Sequence, residues 1–227
     1  MFPPTAPSTL SKSCRPVAEA RPGSHDFSVA ETDTLYVGKI FALRADEVQM
    51  PGGGTARREI VEHFGAVAVV AIDDDANIVL VYQYRHAFGR RLWELPAGLL
   101  DVGGEAPHLT AARELAEEAG LAAGTWHTLV DLDTAPGFSD ESVRVFLATD
   151  LTEVERPGAD HEEADLEVRR IPLAEALTMV FAGEIVNSIA VAGVLAAHAM
   201  SGPDTLRRVD APWTDRPTAF ARRQGHR

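Results

Sequence analysis

The sequence predicts an α/β protein, an α/β/α sandwich around a mixed sheet preceded by an N-terminal antiparallel strand region. Three observations predict it. Short runs rich in β-branched and aromatic residues recur through most of the chain, separated by Gly, Pro, Asn and Asp. One amphipathic helix is set among them between Pro107 and Gly120, and two more helical stretches close the series. Ala66 to Ile72 (AVAVVAI) is apolar at every position, as expected of a central strand covered on both faces.

Residues 1–27 are rich in Pro, Ser and Ala without periodicity and read as a mobile tail. Thr34 to Arg44 reads as a strand, Pro51-Gly52-Gly53-Gly54 as a turn and Ala56 to Phe64 as a second strand, together an antiparallel hairpin with a wide loop. Ala66 to Ile72, the turn Asp73 to Asn77, and Ile78 to Tyr84 form a second predicted hairpin. After the helix come strands near Trp126–Asp133 and Ser142–Thr149, joined by Thr134 to Glu141, whose Gly, Pro and Ser content fits an ordered loop. An acidic loop, Ala159 to Asp165, precedes a strand at Leu166–Ile171 and helices at Pro172–Phe181 and Glu184–Met200, divided by Gly183. From Ser201 onward the chain reads as frayed.

The helix between Pro107 and Gly120 organises the rest. Leu109, Ala112, Leu115, Ala116 and Ala119 recur at three- and four-residue spacing; Pro107 suits the first turn and Gly120 the position just past the last. On that helix Glu114, Glu117 and Glu118 crowd one face. For an arbitrary helix this would be a solvated acidic surface relieved by Arg113. Beside the Gly- and Pro-containing loop that precedes it, the cluster can hold hard divalent cations, and Mg²⁺ normally completes its shell with waters and substrate phosphates. Phosphoryl or pyrophosphate chemistry follows.

The residues from Glu105, through seven others, to Arg113-Glu114-Leu115-Ala116-Glu117-Glu118-Ala119-Gly120-Leu121 resemble the Nudix box, G-x5-E-x7-R-E-U-x-E-E-x-G-U with U aliphatic. Gly98 stands one residue further from Glu105 than the pattern asks, a loop insertion around Val102-Gly103-Gly104. Within the family the chain from about Thr34 to Met200 resembles the ADP-ribose pyrophosphatase branch. The matches are Gln83-Tyr84-Arg85, Trp93-Glu94-Leu95-Pro96-Ala97-Gly98, and Pro136, sixteen residues beyond Gly120.

The resemblance implies an enzyme, a Mg²⁺-dependent ADP-ribose pyrophosphatase using two or more ions, with Mn²⁺ as an alternative, that yields AMP and ribose 5-phosphate. It implies Glu114, Glu118, Glu117 and the Ala97 carbonyl as metal ligands. Gly98, Glu105, Arg113 and Gly120 are structural members of the box; Glu105 either ligates metal or, preferably, holds the helix start. The general base is expected from the acidic loop, Glu163 first and Glu162 second, against a plain charged loop as the alternative. Arg85 is a candidate for the diphosphate, or a surface residue at a strand end. Pro136, Gly137 and Phe138 are expected to shape the terminal-ribose pocket, and Phe41 either stacks on adenine or packs in the core. A homodimer is implied, with residues 28–64 as a dimerisation region whose strands exchange between subunits, 65–200 as the hydrolase domain and 201–227 as a flexible tail. Two alternatives stand: a pyrophosphatase for another nucleoside diphosphate sugar, and a non-catalytic ADP-ribose-sensing module. Intact Arg113, Glu114, Glu117 and Glu118 disfavour the second.

Composition narrows the partners. With 227 residues and 45% hydrophobic content the chain suits one domain plus extensions. The net charge of −13 and the lack of a Lys/Arg stripe argue against nucleic acid. One cysteine, Cys14, permits no intrachain disulfide. No stretch reads as a membrane span or secretory signal, so a cytoplasmic protein is expected.

Overall fold

The computed structural model describes residues 26–156, 166–200, 202 and 205–225. Three sheets carry the fold. The first joins β1 (Ser28–Val37), β2 (Phe41–Gln49) and β3 (Thr55–His63) in the antiparallel order β1-β2-β3. The expected single strand from Thr34 to Arg44 is therefore two strands. Gly38 makes the break: its N–H donates to the Phe41 carbonyl at 2.9 Å, and a Cβ there would lie 2.8 Å from the Tyr36 ring. The turn at Pro51–Gly54 then joins β2 to β3 as expected.

β4 (Ala66–Ala71) is buried along its whole length. It pairs in parallel with β9 (Ser142–Glu153) on one side and antiparallel with β7 (Ala97–Leu99) on the other. Strand alternation sends Ala66, Ala68 and Val70 to one core, shared with helices α2 (Leu173–Phe181) and α3 (Ser188–Ala199), and Val67, Val69 and Ala71 to the other, shared with α1 (Pro107–Ala119). This is the expected sandwich. The five-stranded sheet runs β11-β8-β9-β4-β7, with β8 at Leu121–Asp133 and β11 at Arg207–Arg208.

The second expected hairpin does not form. Asp73 closes the turn by accepting the Asp75 and Asn77 N–H groups at 3.1 and 2.9 Å, but β4 and β5 (Asn77–Arg85) meet only at an Ile72–Ile78 bridge. Both edges of β4 are already taken, so β5 turns away and pairs with β6 (Arg90–Glu94) and β10 (Glu167–Pro172). The last long helix starts at Ser188, later than Glu184, because the Asn187 side chain caps it by accepting the Ile189 and Ala190 N–H groups, both at 3.0 Å.

α3 lies close on the sheet through Gly193, where a Cβ would stand 2.7 Å from Leu95 Cδ1 and 3.0 Å from Val70 Cγ2. Gly193→Val should therefore overpack this seam and lower stability by about 1–3 kcal/mol in urea melts. A variant as stable as wild type would show that the helix moves aside freely.

Residues 205–225 make packed contacts, contrary to the frayed end expected from Ser201. Arg144, buried on β9, donates to the carbonyls of Ala211 and Pro212 at 2.6 and 3.0 Å and lies under the Trp213 ring. Phe220, on the short helix α4 (Ala219–Arg223), is 0% exposed and meets Phe64 edge-on at 4.5 Å. Beyond it Arg223 forks onto Glu62 of β3 at 2.7 and 3.1 Å. Sparse, irregular apolar residues gave no periodicity by which to see this strap.

Burial alone would raise the Glu62 carboxyl, but the Arg223 and Arg44 guanidiniums outweigh it and hold it below the ordinary 4.5. The folded value lies under the unfolded one, so this pairing stabilises the protein above about pH 4.5 and is lost as pH falls through the folded value. Arg223→Ala should lower Tm by a few degrees at neutral pH, with the gap to wild type closing as acid protonates Glu62. A gap that persists unchanged in acid would refute the electrostatic origin.

Candidate active site

The acidic helix begins at Pro107 and ends where Gly120, at φ 66°, returns its N–H to the Ala116 and Leu115 carbonyls. Ala111 and Leu115 fix one face against the sheet, which sets the carboxylates toward β7. Glu118 is 8% exposed and its Oε2 accepts the Ala97 N–H at 3.0 Å. Glu114 packs so tightly on Gly98 that a Cβ there would fall 2.1 Å from its carboxyl. Arg113 gathers the cluster: Nη1 donates to Glu114 and Glu117, each at 2.8 Å, and Nη2 stands 3.5 Å from Glu105. Glu105 also accepts the Thr110 hydroxyl at 2.8 Å, in the first turn of the helix.

Ala97 and Gly98 form part of the lining of a cavity of about 770 Å³, bounded also by Arg85, Glu94, His63 and Glu141. Arg85 is forked onto the buried Glu94 at 3.0 and 2.6 Å. Glu141 faces His63 at 3.5 Å and bonds the Thr134 hydroxyl. Burial pushes the Glu118 carboxyl up to about 8, with repulsion from Glu114 and Glu94 adding to it against the Ala97 N–H and Arg85. Burial likewise raises Glu114 to about 6, with Arg113 opposing and Glu117 and Asp101 reinforcing.

Other expected site residues fall differently. Phe41 lies against Tyr36, ring centroids 5.6 Å apart, and its neighbour Ile40 reaches the cavity instead. From the loop after β8, Thr134 and Glu141 line the cavity, whereas Pro136, Gly137 and Phe138 do not. The Phe138 carbonyl takes the Val61 N–H at 2.7 Å, and its ring is left 59% exposed. Glu162 and Glu163 lie outside the described residues.

The NUDIX domain profile matches residues 62–187, more than half of the chain. This protein belongs to the Nudix family. The Nudix chain is 67% identical over 204 residues to a protein of Mycobacterium tuberculosis named ADP-ribose pyrophosphatase, covering 89% of this chain and 99% of that one. It is 39% identical over 156 residues to the ADP-ribose pyrophosphatase of Bacillus subtilis, covering 69% of this chain and 84% of the relative. A solved structure described as an ADP compounds hydrolase superposes with a TM-score of 0.66 over 77% of this chain and 93% of its own, at 20% identity, a likeness of fold alone.

Nudix hydrolases use divalent metal ions. The residues of this Nudix site suit such an ion in donor type: more carboxylate oxygens are crowded together than the one guanidinium of Arg113 can neutralise, and burial forces Glu114 and Glu118 toward protonation. Among the described residues no three His, Cys, Asp or Glu side chains converge into a closed cage. Glu114 and Glu117 are turned to Arg113 and Glu118 to the Ala97 amide, so waters and substrate oxygens would have to complete a shell.

Sequence reasoning passed over Glu94, His63 and Asn187, all of which line the cavity of this Nudix fold. Glu94 had a signal, an acid inside the apolar run Leu92–Leu95, and it is 4% exposed. Asn187 had one too, a capping residue before an apolar helix. His63 had none, since only the docking of distant segments brings it there.

Proposed function

We propose that this protein is an enzyme that hydrolyses the diphosphate of ADP-ribose to AMP and ribose 5-phosphate with Mg²⁺. The observation that carries the reading is the 67% identity over 99% of a relative named for that activity. The carboxylates of Glu118 and Glu114 lie against Ala97 and Gly98, which themselves line a cavity large enough for a nucleotide sugar, and this supports it.

Bound divalent ions, two or more, would neutralise the diphosphate and make a water more acidic. Glu114, Glu118, Glu117 and the Ala97 carbonyl would hold them. Glu163, or failing it Glu162, takes the proton of the attacking water as its oxygen bonds to phosphorus and the anhydride P–O bond breaks. Arg85 is held in its fork by Glu94 at the cavity wall, where a guanidinium can face phosphate oxygens. Arg113 draws Glu105, Glu114 and Glu117 together.

Incubation with ADP-ribose and Mg²⁺ should release AMP and ribose 5-phosphate in equal amounts. Turnover of other nucleoside diphosphate sugars alone would shift the assignment of substrate, and binding without products would make the protein a sensor. Glu163→Gln should fold normally and lower kcat by about 10²- to 10⁴-fold; an unchanged kcat would move the role to Glu162 or refute the loop.

A homodimer is part of the proposal. Every residue of β1 is exposed, including Val29, Leu35, Tyr36 and Val37, an apolar area that a second copy could cover. A monomeric mass by light scattering would exclude it. Among the described residues no helix is long and apolar enough to cross a membrane, and with one cysteine the chain suits a reducing cytoplasm.

A further inference from the structure

β3 is the edge strand of the N-terminal sheet, and three consecutive residues at its end serve two different segments. Val61 and His63 turn their backbone groups outward, away from β2, and the loop between β8 and β9 docks on them. Val61 N–H donates to the Phe138 carbonyl at 2.7 Å, and Asp140 N–H donates to the Val61 carbonyl at 3.1 Å. The Asp140 carboxylate accepts the His63 N–H at 2.8 Å. Glu62, between them, presents its side chain to the opposite face of the strand. It is 2% exposed and gripped by Arg223 of α4 and by Arg44.

The docked loop supplies Thr134 and Glu141 to the cavity wall, and β3 itself supplies His63. The edge of one strand thus ties the C-terminal helix to one side of the cavity.

We propose that Arg223 and Asp140 are positioning residues for substrate binding. Arg223 fixes the end of β3 through Glu62, and Asp140 latches the loop onto that end, so that His63, Thr134 and Glu141 stand at one depth in the wall. Neither residue lines the cavity. The proposal rests on the ADP-ribose reading only for its kinetic test.

Arg223→Ala and Asp140→Ala are each expected to raise the KM for ADP-ribose about tenfold with kcat within about twofold. Both should speed hydrogen exchange at the Asp140 amide by at least about tenfold. Asp140→Asn, which keeps an acceptor for His63 N–H, should restore KM and exchange to wild-type values. Unchanged KM and exchange in both alanine variants would overturn the proposal, as would a loss of Tm alone or the same defect in Asp140→Asn. If Arg223→Ala does not fold, Arg223→Lys and Asp140→Ala carry the same test. Absence of AMP from wild type would sink the functional reading instead, leaving the exchange experiment to decide on positioning.

Discussion

Glu118→Gln is expected to abolish useful turnover while making the metal-free protein more stable. The carboxyl sits at about 8 in the folded protein against an ordinary 4.5. A raised acid contributes its full stability below the unfolded value and loses it as pH rises from about 4.5 to 8, so by about pH 8 the buried Glu118 carboxyl costs the fold on the order of a few kcal/mol. Glutamine keeps an oxygen for the Ala97 N–H and never ionises. Metal-free Tm at pH 8 should therefore rise by about 5 °C in the variant. The increase in Tm on adding Mg²⁺, which mass action requires of any ion that binds only the native state, should shrink or vanish. Activity should fall by at least about 100-fold, since even residues that only support ligands cost 10- to 100-fold. An undiminished Mg²⁺ shift in Tm would remove Glu118 from the ligand set.

Gly98→Ala is the second large effect and acts through geometry. The new Cβ would arrive 2.1 Å from the Glu114 carboxyl, far inside any real contact. Glu114 is the flexible end of a side chain, so the fold should survive with a near-normal Tm. The carboxylate cannot swing without loosening its 2.8 Å bond from Arg113 and leaving its place against β7 at residue 98. A displacement of about 1 Å in such a group can cost about 10²-fold in rate, with a higher Mg²⁺ requirement. Wild-type kcat at ordinary Mg²⁺ would mean that Glu114 need not touch this strand. The additional length of the box loop lies at Val102–Gly104, outside the Gly98–Glu114 approach.

What could be read from the amino-acid order was whatever is written within one element. The helix from Pro107 to Gly120 announces its start, its stop and its acidic face inside fourteen positions, and β4 announces burial by lacking any polar residue. The divergence of β5 from β4 was invisible, because it depends on β9 and β7 having claimed both edges of β4 from elsewhere in the chain. Gly38 ended a strand that β-branched neighbours on either side seemed to continue. His63 could not be seen at all, since Asp140 and Glu141 hold it from 77 and 78 positions away.

Arg223 also reaches the Thr34 hydroxyl at 3.0 Å, 189 positions back along the chain, and Gln224 bonds the Gly38 carbonyl at 3.1 Å. Among the described residues the fold is in effect sewn into a ring, α4 buttoned to the end of β1. Neither α4 nor β1 can peel away while the other stays put, so the described elements should melt together as a single all-or-none event.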